Sequence, residues 1–95
     1  MIKINEIIWK EKFIEKIEKK HRVTTEEVEE ILEGKKKVYW ISRGDVKGED
    51  VYLALGKTRG GRHISVFFIL KKGQVVLPIS AREMDGKERR RFKNE

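Results

Sequence analysis

Ile64-Ser65-Val66-Phe67-Phe68-Ile69-Leu70, then Lys71-Lys72-Gly73-Gln74, then Val75-Val76-Leu77-Pro78-Ile79-Ser80-Ala81-Arg82 form a continuous stretch of the chain. The first run is almost entirely apolar, as expected of a strand in the middle of a sheet. The polar, glycine-bearing segment turns the chain, and the second run brings it back antiparallel. Pro78 cannot donate to a ladder, so this returning strand lies at an edge or directs that position outward. The fold is therefore built on a sheet, and the rest of the chain is read around it.

Upstream, Thr58-Arg59-Gly60-Gly61 is a turn, Val51 to Leu55 is a strand that ends at Gly56, and Val38-Tyr39-Trp40-Ile41 is β-prone. Arg43 to Gly48 is a polar loop. Further upstream, Trp9, Phe13 and Ile17 recur every four residues among Lys and Glu, which predicts an amphipathic helix from about Lys10 to Lys20. Thr24-Thr25-Glu26-Glu27 fits a capping box, with Val23 and Val28 spaced as a hydrophobic staple. Val28, Ile31 and Leu32 supply the apolar stripe of this second helix, and Gly34 suits a left-handed C-terminal cap. Downstream, Asp85 is the N-cap of a final helix with Glu88 three residues on, and Phe92 anchors that helix to the sheet.

The expected architecture is α+β: two N-terminal helices, a four-stranded antiparallel sheet and a C-terminal helix, with the helices on one face. Residues 1–95 form a single domain.

Composition narrows the function. Lys and Arg outnumber Asp and Glu by 23 to 16, giving a net charge of +7, and 41% of residues are charged. So small and basic a body attracts polyanions. The alternative is a solvated surface with an excess of lysine. The absence of cysteine excludes disulfides, thiolate nucleophiles and cysteine metal sites. It also fits a reducing, cytoplasmic setting. No apolar run approaches the roughly 20 residues of a membrane-spanning helix.

The element order carries a series of short motifs: Gly48-Glu49, Ala54-Leu55-Gly56-Lys57-Thr58, Gly61-Arg62, Ile79-Ser80-Ala81-Arg82 and Glu88-Arg89-Arg90-Arg91-Phe92. Ile8-Trp9 and Lys20-His21-Arg22-Val23 precede them. In this order and spacing, over nearly the whole chain, the series resembles the BrnT toxins. That resemblance implies a RelE-like ribonuclease of a type II toxin–antitoxin module. Such a toxin inhibits translation by cutting RNA. A DNA-binding, ribbon-helix-helix antitoxin of the BrnA type neutralises it, and the complex reaches operator DNA through the antitoxin. The chain departs from the family pattern at Lys10 (aspartate in the family), Ile17 (asparagine), Arg22 (glycine) and Val51 (arginine). The alternative reading keeps the scaffold as a non-catalytic module that binds nucleic acid or an antitoxin.

RNA cleavage without metal or cofactor needs a base for the 2′-OH, positive charge on the phosphorane and a proton for the leaving 5′-oxygen. Arg62 begins the central strand and Arg82 ends its hairpin partner, so the two are expected side by side as a phosphate clamp. The alternative pairs them with Glu49 or Asp50. His63, next to Arg62 on the strand, is expected to point to the opposite face and ranks second. His21 is a helix-end histidine by context, and the family resemblance raises it to a candidate acid or base. Lys57 and Glu49 flank one strand and are expected at the same end of the sheet. The candidate catalytic set is Arg62, Arg82, Glu49, Lys57 and His21. Lys57, Arg62, Arg82, Arg89 and Arg90 are the candidate RNA contacts. Arg89, Arg90 and Arg91 cannot all face one ligand at helical spacing, and the helix dipole is an alternative reason for them.

Overall fold

The computed structural model describes residues 3–93. Strand β1 (Glu6–Ile7) leads into α1 (Glu11–Glu15), which widens into a π-helical turn over Lys16–Lys20. Helix α2 (Thr25–Glu33), strands β2 (Lys36–Ser42), β3 (Val51–Lys57), β4 (His63–Lys71) and β5 (Val75–Glu83), and helix α3 (Gly86–Lys93) follow. The sheet has five strands in the order β1-β5-β4-β3-β2. It is mixed: β2 to β5 form the expected antiparallel meander, and β1 pairs parallel with β5. The four-stranded expectation missed β1, whose two residues are too few to carry a period. β1 is held by its ladder to Val75 and Val76 and by the Asn5 amide side chain, which donates to the Gly73 carbonyl at 3.1 Å.

β4 lies at the centre, as its apolar run requires. Its even-numbered residues Ile64, Val66 and Phe68 face α1 and α2. They bury against Ile17, Val23, Val28, Ile31 and Leu32. Burial of side chains of this size stabilises by about 1.5–3 kcal/mol each. Helix α2 starts at the expected capping box: Thr24 Oγ1 accepts from the Glu27 amide at 3.1 Å, and Glu27 accepts from the Thr24 amide at 3.0 Å. The C-terminal cap differs from expectation. Gly34 is extended, at φ −97° and ψ −163°, rather than left-handed. Glycine is needed there for closeness, since a Cβ would stand 2.8 Å from the Glu30 carbonyl oxygen.

The odd-numbered face of the meander is different. Leu53, Leu55 and Met84 form a small second core with Tyr39, Phe67 and Phe92, and α3 packs there. Helices thus lie on both faces rather than one, because β4 is apolar on both sides and a single layer would leave one side wet.

Candidate nucleic-acid interface

One carboxylate fastens the N-terminal end of helix α3 to the sheet. Asp85 Oδ1 accepts from the Glu88 amide at 2.8 Å, and Glu88 Oε1 accepts from the Asp85 amide at 3.0 Å, a second capping box as the sequence predicts. The same Oε1 accepts from Ser65 Oγ at 2.9 Å and from Arg82 Nη1 at 2.7 Å, while Oε2 accepts from Arg82 Nη2 at 2.9 Å. Ser65 is fully buried in the central strand, so its hydroxyl needs this partner. Arg82 is therefore held in a two-pronged ion pair, with its guanidinium carbon 5.4 Å from the Phe67 ring centroid.

Arg62 is on the other side of the sheet. Its Nη1 donates to Glu27 at 2.7 Å and to the Arg22 carbonyl at 3.1 Å, and Nη2 donates to Glu83 at 3.0 Å. The expected Arg62–Arg82 clamp does not form, and neither arginine pairs with Glu49 or Asp50. The cause is a β-bulge. Phe68 lies opposite Pro78, but Phe67 lies opposite Ser80, so Ile79 is one residue extra in β5. An unbulged return would set Arg82 across from Ile64 and on the face of Arg62. The extra residue moves it across from Ser65, and a one-residue slip exchanges the two faces. Pro78 sits beside this bulge. β5 is not an edge strand at its start, but β1 covers only Val75 and Val76.

Glu49 is also misplaced by the sequence reading. It accepts from Lys71 Nζ at 2.9 Å, next to the start of β3, whereas Lys57 ends that strand. The length of the seven-residue strand β3 separates them, roughly 20 Å or more. Asp50 is engaged by the Trp40 indole N–H at 2.8 Å. His21 closes the π-helical turn. Its pKa is lowered by burial first and then by the charges of Lys20, Lys16 and Arg82, which makes it a neighbour of Arg82.

The residues that do converge are Lys57, His63, Arg89, Arg90, Phe92 and Lys93, around a cleft of about 360 Å³. Lys57 and His63 are cross-strand partners at the ends of β3 and β4. The Phe92 ring meets the imidazole edge-on, with centroids 5.9 Å apart. The His63 pKa is lowered from its ordinary 6.5, first by burial and then by the charges of Arg89 and Lys57. At neutral pH the cleft thus presents an uncharged imidazole among four cationic side chains. His63 ranks second on sequence alone, and the structure brings it into this cleft. Strand alternation sets it opposite Arg62, as expected: Arg62 pairs with Glu27 on the α2 face, and His63 lines the cleft on the α3 face. Arg91 turns away from the cleft and stacks on Tyr39, so the three tail arginines do divide between two directions. Among the described residues, no group of three or more His, Cys, Asp or Glu side chains is arranged to hold a metal ion. No helix among them is long and apolar enough to cross a membrane.

The chain is similar in fold to the crystal structure of the Brucella abortus ribonuclease toxin BrnT, at a TM-score of 0.62 and 24% identity, covering 84% of this chain and 96% of that one. No curated protein matches it. Residues 9–88 match the family described as the ribonuclease toxin BrnT of the type II toxin–antitoxin system. With helix-flanked strands of this order, and a match that runs from Trp9 to the carboxylate that fastens α3, the chain belongs to the BrnT family of ribonuclease toxins.

Proposed function

We propose that this BrnT-family chain is a metal-independent endoribonuclease whose reacting phosphate sits in the cleft between Lys57, His63 and the end of α3. The observation that carries the reading is the His63 imidazole, its pKa lowered, placed among the cationic side chains that line the cleft. The imidazole takes the proton of a ribose 2′-OH, and the 2′-oxygen attacks the adjacent phosphorus. Arg89, Arg90 and Lys93 hold the equatorial charge of the phosphorane, where positive charge does most for the rate. The 5′-oxygen leaves with a proton from Lys57, the cross-strand partner of His63. The products are a 2′,3′-cyclic phosphate and a 5′-hydroxyl. Arg82 supports this site indirectly, by keeping α3 on the sheet through Glu88.

On this reading the chain inhibits translation in the cytoplasm by cutting RNA. A ribbon-helix-helix antitoxin of the BrnA type neutralises it and carries the complex to operator DNA. The basic cleft favours an acidic covering segment on that antitoxin.

The test is cleavage of an RNA oligonucleotide by the purified chain in excess EDTA. Cyclic phosphate ends are expected, with no cutting of the 2′-O-methyl analogue. If the chain binds RNA but never cuts it, the non-catalytic binding module is the better account. Cutting that depends on an added divalent ion sinks the imidazole mechanism.

A further inference from the structure

The α3 face of the sheet has a half that the cleft does not use. Tyr39, Leu53, Phe67 and Ser80 lie side by side across β2, β3, β4 and β5, on the same face as His63 and Arg82. Tyr39, Phe67 and Ser80 are only half-buried. Two guanidinium groups already stand against this row: Arg91 lies 3.5 Å from the Tyr39 ring centroid, and Arg82 lies 5.4 Å from that of Phe67. Arg91 itself is exposed. A guanidinium stacked on a ring is a flat, positively charged plate, and unpaired nucleobases stack on such plates.

We infer that Arg91, backed by Tyr39, is a stacking subsite for one unpaired nucleobase of the RNA whose phosphate enters the cleft. The inference rests on the RNA-binding reading above and deepens it, because it sets the substrate class as single-stranded RNA. Two features of the structure and one of nucleic acids support it. Arg91 is the chain neighbour of Arg90, which lines the cleft, and of Phe92, which meets His63. A strand that crosses the end of α3 therefore meets phosphate-binding cations on one side and the plate on the other. The plate is also held in advance, because Lys37 Nζ donates to the Phe92 carbonyl at 2.5 Å and fixes that end of α3 to β2. Finally, a duplex keeps its bases inside its own stack and has none to give to the plate.

The test uses fluorescent 2′-O-methyl octanucleotides, which bind without being cut. One is single-stranded, one is its duplex, and one is an abasic chain with the same number of phosphates. Wild type is expected to favour the single strand over both others. Arg91→Lys keeps the charge and loses the plate, so it is expected to weaken single-strand binding about fivefold or more while leaving the abasic chain unchanged. Tyr39→Leu is expected to do the same, and Tyr39→Phe, which keeps the ring, to restore it. Equal loss on the abasic chain would make Arg91 a phosphate contact and overturn the subsite. So would wild-type binding by Arg91→Lys, or a duplex bound as tightly as the single strand. A chain that shows the base preference yet cuts no RNA defeats the nuclease reading and leaves the subsite standing.

Discussion

His63 and Arg62 are neighbours in the sequence and do different work. Arg62 is tied to Glu27, Glu83 and the Arg22 carbonyl, which makes it a brace between α2 and the sheet. His63 faces the cleft, where burial and the charges of Arg89 and Lys57 lower its pKa. His63→Gln is expected to lower RNA cleavage by roughly 10²-fold or more, the scale of a lost general base, while octanucleotide affinity changes by less than about threefold. The pH profile carries the sign. The base works only when unprotonated, and its pKa lies below 6.5, so kcat/KM should fall on acidification through that lowered value and stay flat from pH 7 to 8. A profile still climbing above pH 7 would point to a different base. Arg22 offers a separate test. Its φ is +56°, in the left-handed region that favours glycine. A side chain there costs roughly 1–2 kcal/mol, and glycine gives back part of that in unfolded-state freedom. Arg22→Gly should therefore be more stable than Arg22→Ala by about 1 kcal/mol in urea melts, since both lose the same side chain beyond Cβ.

At the scale of elements, what the sequence made legible followed from local chemistry. Both capping boxes, the apolar central strand and the glycine turns depend on residues within one element, and each stands where it was expected. What escaped depends on pairing between elements. The bulge at Ile79 leaves no mark in β5 except Pro78, yet it decides which face Arg82 takes, and with it the whole candidate site. The parallel β1 likewise exists only through its partner β5. Helix α3 shows the energetic side of such pairing. Its eight residues are too few to be stable alone, and Glu88 joins its cap to Ser65 and Arg82. Glu88→Ala would leave the buried Ser65 hydroxyl unpaired and the Arg82 charge uncompensated. Arg82 is still 35% exposed on its side chain, so water recovers part of that loss. A fall of about 2–4 kcal/mol is expected, seen as a lower urea midpoint at an unchanged m-value. Amide exchange in α3 should rise well above that in α2. If α3 stays protected, the carboxylate is not what fastens it.

For the whole molecule, the net charge of +7 gave the first indication of a polyanion partner, but it did not locate the contact. The fold makes the charge specific. Lys57, Arg89, Arg90 and Lys93 gather at one end of the α3 face, whereas cations such as Lys19 lie on the π-helical turn, where Lys19 pairs weakly with Glu15 at 3.9 Å. Counter-ion release distinguishes a local footprint from diffuse attraction. For single strands, log K falls against log salt by about 0.7 for each phosphate neutralised. Four cleft cations meeting three or four phosphates therefore predict a slope of roughly −2 to −3. Lys93→Gln should make that slope shallower by about 0.7, and Lys19→Gln should leave it unchanged. Both substitutions lower the net charge by the same amount, so diffuse attraction would weaken binding equally in the two. Equal effects in a salt titration of the uncut octanucleotide would remove the cleft as the phosphate site, and with it the role given to His63.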